Sequence, residues 1–167
     1  YCVVPYVRGP EESRQPGEIL AEIGRLAEGG CREVTLLGQN VNSYRACGMA
    51  FAGLLREVGS IGGIARIRFM TSHPKDFPDE LLEAVAGVPQ VCPHIHLPLQ
   101  SGSDRILAMM NRGYTGGLYR GLVERLRGAV PGLALSTDLI AGFPAETEED
   151  FRDTLRAIEE IRFDGAF

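Results

Sequence analysis

The sequence predicts an α/β fold, either a (β/α) barrel or part of one, or an open doubly wound sheet. Short apolar runs alternate with amphipathic helical segments at intervals of about 30 to 40 residues, which implies parallel strands joined by right-handed helical crossovers. Polar loops with Gly and Ser follow nearly every strand, as they do where a barrel builds its active site at the carboxyl ends of its strands. This second pattern favours the barrel or partial barrel.

The first predicted helix covers residues 16–29. It opens on Pro16, places Ile19 and Ile23 on one face, and ends at a pair of glycines. A short apolar strand at residues 34–37 follows it and runs into a polar loop.

The same order of elements repeats through the rest of the chain. Predicted strands occupy residues 64–70, 94–99 and 134–140, and residues 163–167 begin another. Predicted helices occupy residues 51–58, 79–86, 104–110, 118–130 and 147–161. No composition break, low-complexity tract or long linker interrupts the series, so we expect residues 1–167 to form one domain.

Composition and charge exclude several classes of protein. With 44% hydrophobic and 23% charged residues the chain matches ordinary globular domains, and it has no apolar run of the roughly 20 residues that a membrane-spanning helix needs. The net charge of −5 is unlike that of a dominant nucleic-acid-binding surface. The four cysteines form no CxxC pair, which disfavours a disulfide framework and favours a reducing, cytoplasmic location. Because the chain starts at Tyr1 rather than Met, we expect its N-terminus to be a truncation point.

The N-terminal block, YCVVPYVRGPEESR at residues 1–14, carries the most specific resemblance. It resembles the loop that follows the CxxxCxxC signature of radical S-adenosylmethionine (SAM) methylthiotransferases, with Cys2 in the place of the third cysteine. Taken alone, Cys2 would be interpreted as a buried or incidental thiol. The resemblance implies instead that Cys2 is one of three thiolate ligands of a [4Fe-4S] cluster whose open iron binds SAM. One cysteine cannot hold that cluster, so we expect the chain alone to be inactive.

The second block, EVTLLGQNVNSY at residues 33–44, is a strand that runs into a Gly- and Asn-rich turn. Chemistry alone leaves two interpretations open, an ordinary turn or a polar loop at the active-site end of a strand. The block resembles the tRNA-modifying branch of the family, whereas the ribosomal-protein branch typically has Asp after the Gln. This resemblance implies that Gln39 and Asn40 contact the cofactor.

A further polar loop lies in HLPLQSGSDRILAMMNR, residues 96–112, between a strand and a helix. Ser103, with Asp104 in the first turn, is suited to cap that helix. The loop also resembles the family segment that lies against SAM, which implies that Gln100, Ser101 and Ser103 contact the cofactor. The two roles are compatible.

The last block, STDLIAGFPAETEEDF at residues 136–151, places Asp138 in an apolar strand, where a carboxylate needs a partner. GFPAET resembles the family's GFPGET loop beside the SAM adenine, which implies cofactor contacts from Asp138 and Gly142. Ala145 stands where the family has Gly, which restricts the backbone if that position requires a positive φ. The acidic run that begins at Thr147 is ordinary chemistry for a helix N-terminus.

The remaining histidines and methionines are interpreted as structural. His73, in the RFMTSHP block, is more often a hydrogen-bonded structural residue than a ligand or base in such a context, and we do not assign it to catalysis. His94 and His96 share one face of a strand because side chains alternate with a period of two. Met109 and Met110 are assigned to core packing.

The resemblance covers the whole chain and implies an incomplete (β/α) barrel of the radical SAM type, truncated at both ends. In the family, this core lies between an N-terminal methylthiotransferase domain and a C-terminal RNA-binding domain. A donor such as flavodoxin or ferredoxin reduces the cluster, SAM is cleaved to a radical, and tRNA is the substrate.

The activity implied is transfer of a methylthio group to carbon 2 of N6-isopentenyladenosine at tRNA position 37. The nearest alternative is methylthio transfer to threonylcarbamoyladenosine in tRNA or to a ribosomal protein. More distant alternatives are a cluster-free phosphate-binding α/β barrel and a degenerate interaction domain.

Overall fold

The computed structural model describes residues 3, 6–7, 9–70 and 72–167. The chain divides into two compact units, one formed by Tyr1–Thr71 with Phe77–Cys92 and the other by Ser72–Asp76 with Pro93–Phe167. Cys2, the predicted cluster ligand, lies outside the described residues. Within the described part of the chain, no helix is long and apolar enough to cross a membrane.

The first unit is built on a parallel strand pair with helices packed against it. Its elements in chain order are α1 (Pro16–Glu28), β1 (Glu33–Leu36), β2 (Arg45–Ala46), β3 (Met49–Ala50), α2 (Phe51–Gly59), β4 (Arg66–Phe69) and α3 (Asp79–Gly87). Strand β1 pairs in parallel with β4, so that Val34 lies opposite Ile67, and Ile67 also forms a parallel bridge with Val91. Strands β2 and β3 form a small antiparallel hairpin between β1 and α2.

The core of the first unit comes from the apolar faces of α2 and β4. Phe51, Leu55 and Val58 lie on one face of α2 and are buried, and the Phe51 ring meets the Phe69 ring edge-on with centroids 5.3 Å apart. Each fully buried side chain of this size stabilises the folded chain by roughly 1.5–3 kcal/mol. This packing fixes the sheet on which the loop after β1 is placed.

The second unit is a three-stranded parallel sheet with three helices. Its elements are β5 (His94–His96), α4 (Asp104–Met109), α5 (Gly116–Ala129), β6 (Ala134–Thr137), α6 (Glu148–Ile161) and β7 (Gly165–Ala166). The strand order is β5-β6-β7, with Ile95 opposite Leu135 and His96 opposite Ser136. Ile95 and Leu135 are fully buried on one face, which Leu135 shares with the buried Thr137, whereas His94, His96 and Ser136 lie on the other face.

Helix α6 begins in a capping box and packs closely on the loop before α4. The Thr147 hydroxyl accepts a hydrogen bond from the Asp150 N–H, and the Asp150 carboxylate accepts one from the Thr147 N–H. At Gly102, an added Cβ would lie 2.3 Å from the Asp153 carbonyl oxygen and 2.6 Å from the Thr154 Cα. Glycine at this position therefore permits the contact between the loop and the helix.

The α/β class and the order of the predicted elements are confirmed. The predicted strands at 94–99 and 134–140 extend beyond β5 and β6, because regular pairing is interrupted after them. The Leu99 N–H donates to the Thr137 hydroxyl at 2.9 Å instead of to a backbone oxygen, and Pro98 has no N–H to donate. Backbone pairing resumes at a bridge between Gln100 and Leu139. The β2–β3 hairpin was not predicted.

Candidate cofactor site

The loop after β1 lies against the segment that follows the N-terminal motif. The Ser43 hydroxyl donates to Glu11 Oε2 at 2.6 Å, the Tyr44 hydroxyl donates to the Arg14 carbonyl at 2.9 Å, and the Arg45 N–H donates to Ser13 Oγ at 3.2 Å. Three hydrogen bonds thus join residues 11–14, at the end of the first motif block, to residues 43–45, at and just after the end of the second.

Between these two segments lies a cleft of about 520 Å³. Gln39 and Asn40, both predicted to contact the cofactor, line it. Gln39 is exposed and Asn40 is half-buried at the start of a 3-10 turn, Val41–Ser43. The other lining residues combine charged, hydroxyl and apolar side chains and include Glu11, Glu12, Arg14, Tyr44, Leu36 and Phe51. The cleft can therefore accept a polar organic molecule with an apolar part.

In the second unit, Gln100 and Asp138 lie side by side beyond the carboxyl ends of β5 and β6. The Gln100 N–H donates to the Asp138 carbonyl at 2.8 Å, and the Ile140 N–H donates to the Gln100 carbonyl at 2.9 Å. Gln100 has a φ of +70°, in the left-handed region, where a residue other than Gly costs of order 1 kcal/mol or more. Strained backbone of this kind concentrates at functional sites, which is consistent with the predicted role of Gln100.

Asp138 has the partner that its sequence position requires. Its Oδ2 lies 3.2 Å from His96 Nε2, and the opposite ring nitrogen, His96 Nδ1, lies 3.1 Å from Ser136 Oγ. His94 Nε2 lies 3.1 Å from the same Ser136 oxygen. His96 is buried, whereas 39% of the Asp138 side chain is exposed. The shared face predicted for His94 and His96 is thus confirmed, and the imidazole of His96 holds a carboxylate that solvent can reach.

Ser101 and Ser103 direct their hydroxyls toward α6. Ser101 Oγ lies 3.3 Å from Thr154 Oγ1, and the Ser103 hydroxyl donates to Asp150 Oδ1 at 2.6 Å. Ser103 is also the N-cap of α4 and accepts a hydrogen bond from the Ile106 N–H, as predicted. Cofactor contacts from Ser101 and Ser103 stay a prediction, and both hydroxyls already have protein partners.

Asp150 connects α6 to α4 and to the Gly142 loop through Arg105. The Arg105 guanidinium donates to the Asp150 carboxylate and also to the Ala145 carbonyl at 2.6 Å. Arg105 first, and the hydroxyls of Ser103 and Thr147 after it, hold the pKa of the Asp150 carboxyl well below its usual range. The sequence assigned the acidic residues after Thr147 to structure, but it gave no signal for the ion pair with Arg105.

The Gly142 loop is a tight turn held by its own carboxylate. Glu146 Oε2 accepts hydrogen bonds from the N–H groups of Gly142 and Phe143, the latter at 3.2 Å. Gly142 has a φ of +76° and Ala145 a φ of +65°, so the position where the family has Gly does require the left-handed region. Ala145 therefore adopts a conformation that a residue with a Cβ rarely takes.

His73 lies in a cationic environment beside Tyr114. Its ring meets the Tyr114 ring edge-on at 5.6 Å, and the Arg112 guanidinium lies over the same tyrosine. Burial, followed by the charges of Arg112 and Lys75, lowers the pKa of His73 to about 4. His73 is therefore neutral at physiological pH, which agrees with a structural role.

Comparison with protein families decides the membership of the chain. The family model described as the Radical SAM superfamily matches residues 1–158. The chain belongs to the radical SAM superfamily. This membership supports the predicted partial (β/α) barrel of the radical SAM type, since each unit contributes parallel β-strands whose sheets do not close in the described residues.

Several curated relatives match this radical SAM chain along all of its length. It is 57% identical to the tRNA-2-methylthio-N(6)-dimethylallyladenosine synthase of Caldicellulosiruptor saccharolyticus, covering 36% of that protein. It is 56% identical to the protein of the same name from Desulfitobacterium hafniense, covering 38% of it. The protein of that name from Geotalea uraniireducens is 55% identical, with 39% of its length covered. The radical SAM chain thus spans well under half the length of these relatives.

The described residues present polar groups suited to an organic ligand but no cluster of metal ligands. No group of three or more His, Cys, Asp or Glu side chains in the described part of the radical SAM chain is placed to hold a metal ion. Cys31, Cys47 and Cys92, the described thiols, lie far apart in the sequence. Each unit separately presents polar groups: the first has the amides of Gln39 and Asn40 in its cleft, and the second has the Gln100 backbone and the Asp138 carboxylate beyond β5 and β6.

Proposed function

We propose that this chain is part of the catalytic core of a tRNA methylthiotransferase that modifies carbon 2 of N6-isopentenyladenosine at position 37. The observation that carries the proposal is the identity of 52–57%, along the whole chain, to curated proteins named tRNA-2-methylthio-N(6)-dimethylallyladenosine synthase. When bound, a [4Fe-4S] cluster and SAM supply the radical chemistry that activates an unreactive C–H bond. The enzyme is a transferase.

The proposal assigns SAM contacts to residues of each unit, as the resemblance to the family implies. Gln39 and Asn40 contribute amide donors and acceptors from the cleft after β1. Gln100 contributes backbone groups from its strained turn, and Asp138 contributes a carboxylate that accepts hydrogen bonds. Gly142 allows the backbone to approach a planar ring closely, because no Cβ projects there.

The cluster ligand in this proposal is Cys2, together with two cysteines that precede the chain. Cys31→Ser is a matched control for Cys2→Ser, because the Cys31 thiol donates only to the Glu33 carbonyl, at 3.1 Å, and a serine hydroxyl keeps that donor. The proposal also includes tRNA as substrate, a flavodoxin- or ferredoxin-type electron donor, a cytoplasmic location, and residues 1–167 as a single core domain. Fragments limited to these residues are expected to be inactive.

Two related activities are the alternatives. Methylthio transfer to threonylcarbamoyladenosine or to a ribosomal protein would use the same cofactors on a different substrate. The LLGQNVNSY loop favours isopentenyladenosine as the substrate, because Asn40 stands where the ribosomal-protein branch typically has Asp.

The test is to express the complete protein anaerobically, reconstitute iron and sulfide, and incubate it with SAM, a reductant and tRNA that lacks the methylthio group. Mass spectrometry of the digested tRNA should show 2-methylthio-N6-isopentenyladenosine. Cys2→Ser should abolish both the product and the SAM-perturbed paramagnetic resonance signal, whereas Cys31→Ser should retain both. If only threonylcarbamoyladenosine or only a ribosomal protein receives the methylthio group, the corresponding alternative activity is correct. A complete protein that binds no iron–sulfur cluster would refute the proposed radical chemistry.

A further inference from the structure

Four polar side chains on one face of the β5-β6-β7 sheet form a continuous hydrogen-bonded chain. It runs from His94 to Ser136, from Ser136 to His96, and from His96 to the Asp138 carboxylate, with successive separations of 3.1, 3.1 and 3.2 Å. Ser136 and His96 are buried, so water does not compete freely for these contacts. Below, these four residues are called the His–Ser relay.

The chemistry of the groups sets the direction of every hydrogen bond in the His–Ser relay. An ionised carboxylate only accepts, so His96 Nε2 must carry the proton that it donates to Asp138. In the neutral ring His96 Nδ1 is then an acceptor, and the Ser136 hydroxyl donates to it. The lone pairs of Ser136 are left to accept from the Nε2–H of His94. The Asp138 carboxylate therefore selects the Nε2–H tautomer of His96, and the hydrogen bond that Ser136 donates to Nδ1 supports it.

We propose that His96 is a positioning residue for SAM, and that the His–Ser relay fixes Asp138 so that its second oxygen faces the cofactor. Oδ1 of Asp138 has no hydrogen-bond partner among the described residues, and the side chain is 39% exposed, whereas Oδ2 is held by His96. One carboxylate oxygen is thus anchored and the other is available to accept from a hydroxyl or amino group of the ligand. An anchored carboxylate loses less rotational freedom on binding than a free one.

The proposal rests on SAM being the cofactor but not on the identity of the nucleoside that is modified. Its first arm measures the free protein. In the complete protein, labelled with ¹⁵N-histidine and free of iron, the His96 signals are assigned as those that disappear in His96→Gln but remain in His73→Gln and His94→Gln. The ring nitrogen shifts of His96 should report a proton on Nε2. A proton on Nδ1 would overturn the proposal, and the tautomer itself is measured in the protein with His96 intact.

The second arm measures SAM affinity in the reconstituted protein by calorimetry. In His96→Gln the side-chain amide reaches the position of Nε2 and keeps the donor to Asp138, so the Kd for SAM should stay within about threefold of the original. In His96→Asn the amide reaches only the position of Nδ1, so the Kd should rise about tenfold, as expected for loss of a hydrogen bond to a charged group. His73→Gln is the control and should leave the Kd unchanged.

Ser136→Ala completes the test of direction. Without the Ser136 hydroxyl, His96 should keep its proton on Nε2, because Asp138 still accepts from it, and the Kd for SAM should rise by a smaller factor than in His96→Asn. Equal affinities in His96→Gln and His96→Asn would overturn the positioning role. If the tautomer and the affinities follow the expected pattern but tRNA is not modified, the substrate assignment fails while the role of His96 stands.

Discussion

Replacing Gly102 by alanine should destabilise the second unit by about 3 kcal/mol. The added Cβ would lie 2.3 Å from the Asp153 carbonyl oxygen and 2.6 Å from the Thr154 Cα, and these are backbone atoms of α6 that cannot rotate away. The loop and the helix must separate, at a cost of about 1–3 kcal/mol for overpacking. Separation also weakens the hydrogen bond from the Gly102 N–H to Thr154 Oγ1, 2.9 Å, and that from Ser103 to Asp150, at about 1 kcal/mol each.

Urea unfolding followed by circular dichroism gives the change in free energy, and hydrogen exchange of peptides from α6 shows where it acts. Gly121→Ala is the matched control, because Gly121 lies inside α5 and an added Cβ there meets no atom within 4 Å. That control should gain about 0.5–1 kcal/mol, since alanine favours the helix. A Gly102→Ala protein as stable as the original, with unchanged exchange in α6, would refute the packing argument.

Three further predictions concern the Gly142 loop and two titrating groups. Ala145→Gly should raise the free energy of unfolding by about 0.5–1 kcal/mol, because the φ of +65° strains alanine, and urea titration checks this. The pKa of Asp150 is lowered in the folded state, so its stabilisation is present above about pH 4 and lost as the pH falls below that. Asp150→Asn should therefore be less stable than the original at pH 7 and should lose less stability on acidification. Urea titrations at pH 7 and pH 3 measure this, and an equal loss of unfolding free energy in the two proteins would contradict it. The pKa of His73 is lowered from about 6.5 to about 4, so the free energy of unfolding should fall as the pH drops through that window. In His73→Gln this fall should be smaller. An NMR titration of His73 with a midpoint near 6.5 would disprove the shift.

Periodicity in the sequence was sufficient to locate the helices and the longer strands. Helix α1, for example, is marked at both ends, by Pro16 at its start and by the glycines after Glu28. The β2–β3 hairpin was missed because its turn is Cys47-Gly48, with φ values of 50° and 78°. Asn-Gly and Asp-Gly are the usual signals for such a turn, and cysteine gives none.

Side-chain partners were harder to predict than elements, because they depend on strand register and helix rotation. The sequence indicated that Asp138 needs a partner, but only the pairing of His96 with Ser136 across β5 and β6 identifies it. Met109 and Met110 were both assigned to the core, yet α4 ends there and only Met110 is buried, whereas Met109 is 47% exposed. Adjacent residues at a helix end point in different directions, so a shift of one residue in the helix boundary decides which methionine is buried.

The hydrogen bonds between residues 11–14 and residues 43–45 have a consequence for exchanging parts among related proteins. Residues 43–45, in the loop after β1, hold residues 11–14 through these hydrogen bonds. A chimera that receives only residues 38–46 from a relative would lose the Ser43–Glu11 contact unless its new loop supplies an equivalent hydroxyl. Such grafts should therefore carry residues 11–14 and residues 38–46 together, so that the hydrogen bonds between the two segments are kept.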